Sequence, residues 1–156
     1  MPFNEVIMPA FITFGRVLFA VLFIASGAMK LFGLAATADM IAGKIVLPAL
    51  LTPYVDQLQT LTGMEMKQML AIAAGVLELL GGLLIALNIG ARFFAILLVM
   101  FVMAATFYFH DFWNQTGPDA TNNMIHALKN LSIIGGLFII AGIGRGPRGD
   151  QVYTGV

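Results

Sequence analysis

The chain has no cysteine among its 156 residues. That absence removes disulfides, thiol relays, thiolate metal sites and iron–sulfur ligation together, and with them four-helix thiol oxidants of the quinone-linked kind. It leaves the redox compartment undetermined. Charge is scarce as well: Asp, Glu, Lys and Arg make up 10% of the residues, against about 25% in ordinary globular domains. Eight basic residues balance eight acidic ones, so there is no basic footprint for nucleic acid and no polybasic tail for anionic lipid. Internal repeats and a second domain are lacking too, and residues 1–156 read as a single domain.

What is abundant is apolar surface. Hydrophobic residues make up 60% of the chain, and a soluble domain this apolar would lack a wettable exterior. A spanning helix needs roughly 20 mostly apolar residues, and four such windows occur, at about 12 to 34, 69 to 89, 92 to 112 and 127 to 144. The first holds the run Val17 to Met29, flanked by Arg16 and Lys30, whose long side chains reach toward the two interfaces. The third runs from Phe93 to Phe109 and ends near Trp113, at the level of an aromatic belt. The fourth stops at Arg145-Gly-Pro-Arg148, a strong helix terminator. The expected fold is an all-α, polytopic membrane four-helix bundle. A cleaved signal peptide is the rival reading of the start, but a single arginine after Pro2, Glu5 and Pro9 makes a poor leader.

Four spans put both termini on one side, with Arg16, Arg92, Arg145 and Arg148. The other side holds Lys30, Lys44, Lys67 and Lys129, together with Asp39, Asp56, Glu65, Asp111 and Asp119. Numbers of basic residues tie, but Lys30 and Lys129 lie partly inside their helices. The arginine side is therefore assigned to the cytoplasm of a cell inner (plasma) membrane, and the four arginines are read as lipid-headgroup anchors. Residues 35–67, too interrupted to span, form a cap of short interfacial helices: one over Ala38 to Leu47 before Pro48, another from Pro53. Asn114 to Asn123 reads as a second external loop turning at Gly117-Pro118.

Glu78 is the anomaly. It stands near the middle of the apolar run Met69 to Ile89 with no other charge in that run, where a charge costs roughly 2.5–3.5 kcal/mol on insertion scales. Something polar must face it. At 1.5 Å per residue, Lys30, His110 and Lys129 fall about 9–12 Å outward of the window midpoints, so either lysine is a candidate partner. Around Glu78, the residues Ala71, Ala74, Gly75, Gly81, Gly82 and Ile85 form a small-residue stripe that predicts close helix packing. Ser26 and Lys30 on the first helix, Thr106 and His110 on the third, and Lys129 and Ser132 on the fourth share faces at helical spacing. Converging, these stripes make an intramembrane polar site of Glu78, Lys30, Lys129, His110, Tyr108, Asn130 and Ser26, open outward.

Several pieces in order resemble the DoxX family of small four-helix membrane proteins. They are Gly15-Arg16 followed by Phe23-Ile-Ala-Ser-Gly-Ala-Met-Lys30, Leu77-Glu-Leu-Leu-Gly-Gly-Leu83, the turn Gly90-Ala-Arg92, Phe107-Tyr-Phe-His-Asp-Phe-Trp113, and Lys129-Asn-Leu-Ser-Ile-Ile-Gly-Gly-Leu137. The first piece departs mildly, with Met29-Lys30 where related chains often carry lysine or histidine after a variable residue. The resemblance covers nearly the whole chain. It implies a membrane subunit associated with thiosulfate-quinone oxidoreductase or with a redox-detoxification assembly, alongside a soluble oxidoreductase partner.

Two functions stay open. In one, the chain is a redox-complex subunit: a desolvated carboxylate exchanges protons near neutral pH unless a cation restores its ordinary pKa, and Lys129, His110 and Tyr108 can serve a quinone headgroup. In the other, Glu78 sits in an ion pair that sets helix register, and the protein is a non-catalytic scaffold or a carrier for a small hydrophobic molecule. Without cysteine or a flavin motif, the chain does not move electrons alone, so no enzyme activity is assigned. No tightly bound cofactor is expected; quinone is the candidate ligand. His110 and His126, at adjoining helix ends, are weak metal candidates. Glycine-rich faces permit a homo-oligomer without requiring one.

Overall fold

Helices form where the apolar windows run free of proline and cap chemistry, and break where glycine or a pre-proline residue intervenes. The computed structural model describes residues 4–143, with side chains from Ala10 onward. It is all-α: α1 (Asn4–Phe32), α2 (Leu34–Ala42), α3 (Thr52–Thr62), α4 (Met66–Ala86), α5 (Ala91–Phe109) and α6 (Gly117–Ile143), with two short 3-10 turns. Four of these segments are long and apolar enough to cross a membrane, at Ala10–Phe32, Met66–Ala86, Ala91–Asn114 and Gly117–Ile143. Arg145 and Arg148 lie outside the described residues.

Helix α1 packs most extensively on α4, and the cause is glycine. A Cβ on Gly27 would overlap the backbone nitrogen of Leu79 and stand 2.6 Å from the Gly75 carbonyl oxygen. One and a half turns earlier, Ala20 and Phe23 close in the same way on Gly82. Without a driving force between helices in lipid, such backbone approach is what gains dispersion contacts. The buried face of α4 is accordingly Ala71, Gly75, Glu78, Gly81, Gly82 and Ile85, the expected stripe apart from half-buried Ala74. Against it stand Ala95, Leu98 and Val102 of α5, whereas α6 buries Leu137 alone. Large apolar side chains such as Phe14, Phe32, Phe93 and Phe138 point outward, as expected of helices solvated by lipid.

Boundaries differ from expectation in several places. α2 begins at Leu34 rather than Ala38, directly after Gly33, and ends at Ala42. Gly43 stops it, and Ile45 to Leu47 approach Pro48, whose ring disfavours helical backbone in the residue before it. Ala38 and Ile41 then fold back onto Ala71 of α4. α3 starts one residue before Pro53, which is tolerated in a first turn, and ends at left-handed Gly63.

The expected loop from Asn114 to Asn123 is largely helix, because α6 starts at Gly117 and not near residue 127. Gly117 supplies the positive φ of 67° that reverses the chain, Pro118 opens the helix without needing its missing N–H, and Asp119 suits the helix N-terminus. These polar residues resemble a loop in sequence because hydropathy marks where lipid ends and not where a helix ends. α5 stops at Phe109, three residues short of its window, and a 3-10 turn follows at Phe112–Asn114.

Candidate intramembrane site

Glu78 is 5% exposed, and among the described residues it is the one buried charged side chain. Its position follows from the α1–α4 contact: with Gly27 against the α4 backbone, the residues on either side of it, Ser26 and Lys30, are carried to the level of the carboxylate. Lys30 Nζ lies 2.6 Å from Glu78 Oε2 and donates to Ser26 Oγ at 2.6 Å. Ser26 Oγ in turn donates to the same Oε2 at 3.1 Å. One carboxylate oxygen thus takes two donors, while Oε1 makes no hydrogen bond with a described residue. An ammonium has three N–H donors, and two of those on Lys30 are engaged. The triad leaves one acceptor and one donor unused.

Glu78 and Lys30 both line a cleft of about 500 Å³ between α2, α4 and α5. Its walls are apolar, including Ile41, Leu70, Leu77, Phe101 and Ala105, with Tyr108 and His110 at the C-terminal end of α5. The arrangement is that of a small-molecule pocket: mostly apolar, with a few convergent polar groups.

Further out, a hydrogen-bonded chain ties the loops together. His110 Nδ1 is 3.0 Å from Asn123 Oδ1, Asn123 Nδ2 donates to Gln115 Oε1 at 2.7 Å, and Gln115 Nε2 donates to Asp111 Oδ1 at 2.8 Å. Lys44 stands 3.5 Å from that Asp111 oxygen. His126 stacks on His110 with ring centroids 5.0 Å apart and planes 10° from parallel. The two histidines do meet, face to face, but no group of three or more His, Asp or Glu able to hold a metal occurs among the described residues. Gln115 and Asn123 escaped the sequence reading because both fell in the supposed loop. Their one signal, polar residues eight apart around Gly-Pro, is too common to select them.

The other expected site residues lie apart from Glu78. Lys129 is on an exposed face of α6 and has no hydrogen bond or ion pair among the described residues. Asn130 turns instead to α5 and donates to Thr106 Oγ1 at 2.9 Å. Lys30, Ala74, Glu78 and His110 of the expected stripes line the cleft; Thr106 faces α6 instead, and the α6 residues Lys129 and Ser132 do not line the cleft. Of the arginines, Arg92 reaches the Gly142 carbonyl at 3.4 Å, and Arg16 Nε has no partner among the described residues.

The DoxX family model matches residues 11–111, a stretch holding Ser26, Lys30, Glu78, Tyr108 and His110. Inner membrane protein YphA of Escherichia coli (strain K12) is 27% identical over 138 residues, covering 88% of this chain and 86% of the relative. No solved structure matches.

Proposed function

The chain belongs to the DoxX family and is a multi-pass inner-membrane protein, and on that premise we propose that it is the membrane subunit of a redox-associated complex, holding a quinone headgroup in the cleft beside Glu78. The observation that carries this reading is that Glu78 and Lys30 both line an apolar cleft, with one acceptor and one N–H donor of their triad unused among the described residues. A hydroxyl can donate to the first while accepting from the second. The reduced, phenolic form of a quinone offers such a group on an apolar ring; the oxidised form offers a carbonyl to Lys30. An anionic headgroup would be repelled by Glu78, and a purely apolar ligand would leave both groups unmatched. Electrons would come from a soluble oxidoreductase docked at the membrane. The termini, with Arg16 and Arg92, are assigned to the cytoplasm by the bias of basic residues.

The test is quinone and quinol binding by purified protein in nanodiscs, with Glu78→Gln, Lys30→Met and Lys129→Met compared after each is shown to fold. Saturable binding by wild type, weakened at least tenfold in the first two variants and unchanged in Lys129→Met, is expected, since a hydrogen bond to a charged group contributes about 1.5–3 kcal/mol. No binding by folded wild type would overturn the reading. Glu78 would then act as the register-setting partner of Lys30 in a scaffold, or in a carrier for another small hydrophobic molecule.

A further inference from the structure

Helix α1 has a second neighbour, α6, and the seam between them is open. Phe19 lies over Gly136, and on the side of the chain termini the helices leave a groove of about 370 Å³ lined by Phe11, Ile12, Gly15, Arg16, Ile139 and Ile140, among others. Arg16 is the one charged residue in it. Among the described residues its Nε, sealed from solvent, has no hydrogen-bond partner, and the side chain forms no ion pair. Five N–H donors on a guanidinium call for acceptors, and the described acids cannot supply them. Asp39, Asp56, Glu65, Asp111 and Asp119 all lie at the opposite end of the bundle, and Glu78 is held by Lys30.

Depth identifies what can reach Arg16. Glu78 stands two residues from the midpoint of α4, and Ser26 is level with it. Arg16 lies ten residues from Ser26 along α1, about 15 Å, which is half the roughly 30 Å hydrocarbon thickness. That is where lipid phosphates begin. From there the groove extends toward the membrane centre along Phe19 and Gly136, between walls fit for an acyl chain.

We propose that the α1–α6 seam binds one anionic phospholipid, its phosphodiester on Arg16 and an acyl chain in the groove. Planar guanidinium matches phosphate with two parallel hydrogen bonds. A free phosphate ion would fill only the polar end. A zwitterionic lipid would bring its own cation into competition with Arg16. This site is separate from the cleft at Glu78, so it stands or falls independently of the proposed function.

The experiment is native mass spectrometry, with thermal unfolding in parallel, of delipidated protein given phosphatidylglycerol, phosphatidylcholine or inorganic phosphate. Two variants accompany it: Arg16→Gln, which removes the anion partner, and Gly15→Phe, which fills the groove where a Cβ meets nothing within 4 Å. Phosphatidylglycerol should be retained at one per protein and raise the unfolding temperature, at least tenfold more tightly than phosphatidylcholine. Both variants should lose that preference. Equal retention of the two lipids, a preference that survives in either folded variant, or the same protection from phosphate alone would overturn the proposal. If Arg16→Gln does not fold, Gly15→Phe decides.

Discussion

The two seams of α1 differ in what they do with a charge. Toward α4, Gly27 and Gly75 bring the backbones together, and the ammonium of Lys30 finds a carboxylate and a hydroxyl within the protein. Toward α6, Gly136 admits the ring of Phe19, and Arg16 finds no partner among the described residues. A charge buried between tightly packed helices must be answered by the fold. One beside an open seam near the interface can be answered by the bilayer. The difference lies in what each glycine meets: Gly27 meets the α4 backbone, whereas Gly136 meets the ring of Phe19.

Breaking the closed seam should have the largest effect. Gly27→Leu places atoms into the α4 backbone, which cannot yield as a flexible side chain would, and is expected to abolish the monodisperse folded peak in detergent size-exclusion chromatography. Gly135→Leu, where a Cβ meets nothing within 4 Å, should leave that peak unchanged. A normal profile for Gly27→Leu would mean that the helices are not held by backbone approach.

Removing one charge of the pair should follow. Lys30→Met leaves a carboxylate with Ser26 alone and is expected to destabilise by about 3–5 kcal/mol, whereas the double variant Lys30→Met/Glu78→Leu recovers most of that loss. Additive losses in reversible unfolding would show that the two residues do not interact. Replacing the hydrogen bond between α5 and α6 should matter less: Asn130→Leu costs about 0.6 kcal/mol, the average for such bonds within membranes. Smallest of all, Arg16→Gln in lipid-free detergent should shift stability by under about 0.5 kcal/mol, the range of a surface change. A loss as large as that of Lys30→Met would reveal a protein partner for Arg16 and close the contrast between the seams.

The all-α, four-span architecture was legible because hydrophobic length is a local property: every apolar window contains a spanning helix. Glu78 and its glycine-rich face were legible for the same reason, since a lone charge in such a window stands out without tertiary knowledge. The start of α6 was not, because Asp119 to Asn123 are polar yet helical, beyond the apolar stretch that reveals a span. Nor were Gln115 and Asn123, whose importance arises from contact with His110 and Asp111 and has no signature in spacing.

What the sequence by itself determined was that this chain lies in a membrane as four helices with one carboxylate in need of an answer. Only the tertiary structure decided which cation answers it. Lys30 and Lys129 stood at similar depth, and depth is all that counting residues yields. The choice turned on rotation about the helix axis: contact at Gly27 turns Lys30 inward beside Ser26, while α6 packs through Leu137 and leaves Lys129 facing out.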